Sequence, residues 1–173
     1  MIEKLKICMI GGTAVGKTSL VNRYMNSIFQ ERYATTIGVK IQARRLQRGE
    51  RTVDVVLWDL SGEDEFQSVQ PAYVRGAAGY LLVADGTRHA TLDSAIALQK
   101  GMRATLGEVP FVLVLNKIDR TTAWDIDAKA MAALERRGWL LARTSAKTGA
   151  GVEDAFNRLV DTILDSRRVQ PWT

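Results

Sequence analysis

Residues 11–18, GGTAVGKT, constrain this chain more than any other stretch. They fit the pattern G-x-x-x-x-G-K-[ST]. An apolar run of strand length, residues 5–10, precedes them, and Leu20, Val21, Tyr24 and Met25 follow at helical spacing. Glycines at 11, 12 and 16 let the backbone turn tightly, so that successive N–H groups can face phosphate oxygens. The helix that starts there adds the positive end of its dipole. Lys17 brings a point charge for β- and γ-phosphates, and the Thr18 hydroxyl is a hard oxygen suited to Mg²⁺. The candidate phosphate-binding set is Gly12, Thr13, Ala14, Val15, Gly16, Lys17, Thr18 and Ser19. A glycine-rich turn that matches by chance is the competing reading; the strand before and the helix after argue against it.

The rest of the chain repeats the alternation of strand and helix. Stretches 39–46 and 52–58 read as strands, with Arg-Gly-Glu at 48–50 short enough for a hairpin. YLLVA at 80–84 and FVLVL at 111–115 are unbroken apolar runs, the pattern of strands buried on both faces. Between them Leu92, Ala95, Ile96, Gln99 and Met102 sit at helical spacing. Residues 126–137 read as a helix stopped by Gly138, residues 139–142 as a sixth strand. Val152, Phe156, Leu159, Val160 and Ile163 form the inner stripe of a last helix. The expected fold is α/β: one domain over residues 1–173, with a six-stranded, mostly parallel sheet, one antiparallel hairpin strand and helices on both faces. Ligands of such sheets bind beyond the carboxyl ends of the strands.

Composition narrows the classes. The one cysteine, Cys8, lies in an apolar run and reads as a buried thiol, so no intramolecular disulfide is available. MIEKLKICMIGG reads as a strand, not a signal peptide, and no apolar run approaches the roughly 20 residues of a membrane span. The ending SRRVQPWT has no cysteine for prenylation, so no stable lipid anchor is expected, and the expected location is cytoplasmic. Net charge is +5, densest at Arg44, Arg45, Arg48 and Arg51 and at Arg167 and Arg168; these read as solvated faces, not as a nucleic-acid patch.

Three more stretches bear on chemistry. In WDLSGEDEF, residues 58–66, Asp59 and Gly62 suit a metal and a phosphate, whereas Glu63 adds negative charge beside them. NKID, at 116–119, follows the buried run FVLVL. Two carboxylate oxygens on Asp119 could accept from two adjacent N–H donors, which guanine offers on one edge and adenine does not. Asn116 can brace the loop, and the Lys117 stem can lie over a flat ring. TSAK, at 144–147, also follows a strand and could add a backbone N–H to the same base.

GGTAVGKTSL, TIGVK, WDLSGEDEF, YVRGAAGYLLVADGT, NKID and TSAK, in this order and spacing, resemble the Ras superfamily of small GTPases, most closely its Rab branch. The resemblance covers about residues 4–165 and implies a P-loop NTPase fold and a GTP/GDP-binding switch with one Mg²⁺. It implies that Thr18 and Thr36 are hydroxyl ligands of Mg²⁺, and that Asp59 holds the ion through water. It implies that Gly62 senses the γ-phosphate and that Phe29 packs on the guanine edge. Asn116, Lys117, Asp119, Ser145, Ala146 and Lys147 correspond to the base-reading loops, and Lys17, Thr36 and Glu63 to the catalytic positions. GTP would tie Thr36 and Gly62 down and hydrolysis would release them, so that loops 33–41 and 59–75 signal to an exchange factor, an activating protein and effectors. Ile41, Trp58 and Tyr73 match an apolar effector surface; ordinary half-buried packing is the alternative for Ile41 above all.

The chain departs from the pattern in three places. Thr13 stands where Ras has glycine and is expected to crowd an arginine finger supplied in trans. Lys40 replaces a usual acid, so partner choice need not transfer. Glu63 replaces the glutamine that orients the attacking water. An ionised glutamate accepts hydrogen bonds but donates none, and it sits near a polyanion. Slow intrinsic hydrolysis is therefore expected; the opposing outcome is that a stronger acceptor polarises the water and keeps the rate. Two functions follow: a GTP hydrolase used as a switch, or an interaction module that binds GTP and scarcely turns it over. NKID argues against a third, an ATP-dependent enzyme such as a kinase.

Overall fold

Alternation along the first strand decides how the layers stack. The strand β1 (Ile2–Gly11) sends Leu5, Ile7 and Met9 to one face and Cys8 and Ile10 to the other, all fully or nearly fully buried. A strand buried on both faces needs helices on both. The computed structural model describes residues 2–26, 31–32, 38–60 and 71–168. After β1 come α1 (Lys17–Met25), β2 (Glu31–Arg32), the hairpin β3 (Lys40–Arg48) and β4 (Arg51–Asp59), and α2 (Pro71–Val74). Then follow β5 (Gly79–Asp85), α3 (His89–Leu106), β6 (Phe111–Asn116), a 3-10 turn at Thr121–Ala123, α4 (Ala128–Arg136), β7 (Leu140–Thr144) and α5 (Val152–Arg168).

The sheet order is β2-β3-β4-β1-β5-β6-β7. Strands β4, β1, β5, β6 and β7 run parallel, and β3 is antiparallel to β4. These are the six expected strands, with the antiparallel hairpin where it was expected. The two-residue β2 adds an edge pairing to β3, too short to leave a period in the sequence. The hairpin turns at Gly49, whose φ of 61° is left-handed.

One core lies between the sheet and α1 and α5, where Tyr24 stacks on Phe156 at 4.0 Å. The other gathers Cys8, Ile10, Leu82, Leu92 and Met131 beneath α3 and α4. Burial raises the Cys8 thiol to about 12, so it stays protonated at neutral pH. The helix α4 starts two residues later than its apolar pattern suggests. Asp127 caps it, its carboxylate accepting the Ala130 N–H at 2.7 Å. Ile126 before the cap and Met131 after it share the second core, a hydrophobic staple. Among the described residues no helix is long and apolar enough to cross a membrane.

The basic stretch at 44–51 needs one correction. Arg44 is not a solvated charge: it is 6% exposed. Its guanidinium bonds both Glu153 oxygens, at 3.0 and 2.8 Å, and the Tyr24 carbonyl at 2.9 Å. It also lies over the Tyr24 ring at 4.2 Å from the centroid. The neighbours are paired but more exposed, Arg45 with Asp54 and Arg48 with Asp161. Glu153 is the anion that offsets a buried guanidinium. Glu153→Ala is expected to lower unfolding free energy by about 2 kcal/mol, below the loss for a fully buried pair because Glu153 is half exposed. An unchanged urea midpoint would show that the pair adds nothing net.

Candidate functional site

The carboxyl ends of β1, β5, β6 and β7 meet at one edge of the sheet, and the stretches GGTAVGKT, NKID and TSAK converge there. The phosphate loop leaves β1 at Gly11. A Cβ at Gly11 would run into the Val83 carbonyl of β5, and one at Gly16 into the Asn116 side-chain amide. Glycine is needed at 16 twice over, since its φ is 104°. At Gly12 a Cβ would meet nothing within 4 Å, so the loop is open on that side. The Val15 side chain is fully buried in the first core, so Val15 can serve a ligand only through its backbone.

Five successive carbonyls of this loop are held by side chains, two by Lys17 of the loop itself and three by residues far away in the chain. Lys17 Nζ donates to the Gly11 and Gly12 carbonyls at 2.6 and 3.2 Å. Arg88 donates to Thr13 at 2.9 Å, Lys117 to Ala14 at 2.9 Å and Asn116 to Val15 at 3.0 Å. In a trans peptide the C=O and the following N–H point opposite ways. The Thr13, Ala14 and Val15 carbonyls, held from outside the loop, therefore turn the N–H groups of Ala14, Val15 and Gly16 the other way, a nest for an anion. Ala14 adopts a φ of 57°, which costs a non-glycine residue about 1 kcal/mol or more. The bonds on both of its flanking carbonyls hold it there.

Thr18, in the first turn of α1, donates to Asp59 Oδ2 at 2.7 Å. Asp59 ends β4 and is 3% exposed. A hydroxyl and a carboxylate side by side fit Mg²⁺, which takes one or two protein oxygens and completes its shell with phosphate and water. The described residues hold no cluster of three or more acidic, histidine or cysteine side chains, which sets this pair apart from an all-protein metal cage. Ser19, the last residue of the phosphate-loop set, is exposed.

The base loops are locked to each other and to the phosphate loop. Asn116 is 2% exposed; its oxygen accepts from the Thr144 hydroxyl at 3.0 Å and the Ala146 N–H at 3.2 Å. Lys117 has a φ of 72°, and its ammonium reaches Asp85 at 2.7 Å as well as Ala14. Ser145 donates to Asp119 Oδ1 at 2.7 Å. That bond, against a smaller opposing effect of burial, holds the exposed Asp119 carboxyl below the usual aspartate range, so Asp119 stays an ionised acceptor. Lys147 is exposed, and Arg23 of α1 clamps the carbonyls of Ala146 and Lys147.

Three of these groups have no part in the sequence reading: Asp85, Arg88 and Arg23. Asp85 had a visible signal. It ends a wholly buried strand as Asn116 does, and the two are register partners. Burial raises the Asp85 carboxyl, but hydrogen bonds from Lys117, Thr87 and Arg88 together outweigh it and bring it below the usual range. Arg88 and Arg23 carry no pattern in sequence. Ile41 and Trp58 are brought together as cross-strand neighbours, both half buried, with Lys6 Nζ 3.7 Å from the Trp58 ring centroid. Tyr73, on α2, packs against the same core. Phe29, Thr36, Gly62 and Glu63 lie outside the described residues.

The chain is similar to known proteins over almost its whole length. The model of the Ras family matches residues 6–165. "Ras-related protein RABA1g" of Arabidopsis thaliana is 35% identical over 163 residues, 91% of this chain and 74% of that protein. "Ras-related protein Rab-7a" of Paramecium octaurelia is 34% identical over 161 residues, 89% of this chain and 78% of the relative. "Ras-related protein YPTC6" of Chlamydomonas reinhardtii is 32% identical over 160 residues, 91% of this chain and 74% of the relative.

Proposed function

The chain belongs to the Ras family, as a Rab-like small GTPase, and from that premise we propose how its residues bind guanine nucleotide and signal its state. The loop 11–18 takes the phosphates, Thr18 and Asp59 the Mg²⁺, and Asn116, Lys117, Asp119, Ser145, Ala146 and Lys147 the guanine. The observation that carries this reading is the row of three carbonyls, Thr13, Ala14 and Val15, held from outside the loop, which leaves the opposite face lined with N–H donors. Two of the side chains that hold it, Asn116 and Lys117, come from the base loop. One framework therefore serves both ends of a nucleotide.

Each residue has a task in hydrolysis. The loop N–H groups and Lys17 bind the phosphate oxygens and stabilise charge as it develops there. Mg²⁺, when bound, would neutralise charge between the β- and γ-phosphates. Asp119 accepts two guanine N–H donors, which fixes the substrate class. Thr36 and Gly62 report the γ-phosphate, so that loops 33–41 and 59–75 exist in two states. Ile41 and Tyr73 lie within those loops and Trp58 just before the second, and we assign the three to the surface read by effectors, an exchange factor and an activating protein. Glu63 sets the rate of the chemical step.

A second reading, a GTP-bound interaction module with very slow turnover, is favoured by Glu63 and Thr13. The test is the nucleotide that the purified protein carries, released by denaturation and identified by chromatography. Guanine nucleotide in roughly stoichiometric amount is expected, with GTP a substantial share if hydrolysis is slow. GDP alone would count against the slow reading, and adenine nucleotide against the base assignment.

A further inference from the structure

The tasks above leave Arg88 unused. Its side chain is 47% exposed, yet it makes two bonds that a solvated arginine has no need of. Nε donates to Asp85 Oδ2 at 3.0 Å, and a terminal nitrogen donates to the Thr13 carbonyl at 2.9 Å. The same Asp85 oxygen takes the Lys117 ammonium at 2.7 Å. One buried carboxylate thus seats two cations, and each cation ends on a neighbouring carbonyl of the phosphate loop, Thr13 or Ala14. A carboxylate that is 1% exposed is costly unless paired, so the three groups depend on one another.

Arg88 also reaches out from a fixed base. The buried Thr91 hydroxyl accepts the Asp85 N–H at 2.8 Å and donates to the Arg88 carbonyl at 2.7 Å. The Thr87 N–H and hydroxyl both bond Asp85 Oδ1, at 2.9 and 2.7 Å. The peptide that Arg88 grips joins Thr13 to Ala14, the one phosphate-loop residue other than glycine at positive φ. That conformation relaxes unless something holds it.

We infer that Arg88, seated on Asp85, is a positioning residue for the nucleotide phosphates: by holding the Thr13 carbonyl outward it keeps the Ala14 N–H turned into the phosphate nest. It thereby sets how long a nucleoside diphosphate stays bound. This role rests on the guanine-nucleotide reading above.

The test is release of a fluorescent N-methylanthraniloyl-GDP from the full-length chain, chased with excess GDP. Arg88→Ala is expected to release it about fivefold faster, the loss of one charge-assisted hydrogen bond discounted for exposure. Arg88→Lys recovers part of that loss, since an ammonium can reach one of the two acceptors. Asp85→Asn, which loosens Arg88 and Lys117 together, releases faster than Arg88→Ala. Competition by guanosine against GDP separates positioning from general loosening: Arg88→Ala weakens GDP and leaves guanosine unchanged. An unchanged release rate in Arg88→Ala, or equal losses for guanosine and GDP, overturns the role. Wild-type protein that binds no labelled GDP overturns the guanine-nucleotide reading instead, and this role with it.

Discussion

Asp119→Asn is expected to weaken GTP binding by roughly a hundredfold to ten-thousandfold and to admit xanthosine nucleotides in its place. The Asp119 carboxyl offers two acceptors to two donors on one edge of guanine. Its Oδ1 already takes the Ser145 hydroxyl at 2.7 Å, which fixes the orientation of the group. An asparagine that keeps this bond presents an NH₂ to the base in place of the second oxygen. Donor then meets donor, and two N–H groups lose partners, each at a cost of about 1–3 kcal/mol. Xanthine carries a carbonyl where guanine carries its amino group, so the amide regains a partner. Titration of wild type and variant with GTP and with xanthosine triphosphate checks the exchange. Unchanged GTP affinity in the variant would remove Asp119 from the base site.

Glu63→Gln is expected to hydrolyse bound GTP at least about tenfold faster than wild type in a single turnover. Glu63 lies outside the described residues, and the chemistry of its side chain sets the expected direction. An ionised carboxylate beside a triphosphate is repelled, and it cannot donate to the oxygens on which charge develops. Glutamine removes the repulsion and restores the donor. Recovering one hydrogen bond to a charged group is worth about 1.5–3 kcal/mol, tenfold or more in rate. Quenched-flow measurement of phosphate released from preloaded protein reads the step without nucleotide exchange. A variant no faster than wild type would overturn the idea that Glu63 slows hydrolysis, and a slower one would mean that it supports the step as the stronger acceptor.

The sheet was legible because its strands obey two simple periods. The run YLLVA is buried throughout and β3 alternates, and both appear where their patterns put them. Less legible were features set by a single contact. The helix α4 begins at Ala128 because Asp127 caps it, although the apolar pattern begins at Ile126. Strand β2 exists through two register pairs with β3. Arg44 read as one of a run of surface charges, and only Glu153, 109 positions away in the chain, makes it a buried one.

The site divides in the same way. The residue types and spacing of GGTAVGKT, NKID and TSAK pointed to a phosphate loop and a purine-edge acceptor, and the structure brings the three stretches to one sheet edge. Each of those signals is local: a glycine that permits a turn, a lysine that carries charge, a carboxylate that ends a loop. Which groups hold those loops in place was decided by the tertiary structure. Asp85 and Arg88 serve the phosphate loop from the β5–α3 connection, and Arg23 serves TSAK from α1. Their partners in those loops lie 32 to 124 residues away in the chain, and hydrogen bonds of that reach leave no period or motif in a sequence. Only parallel strand packing, which sets Asp85 beside Asn116, brings them to the nucleotide edge.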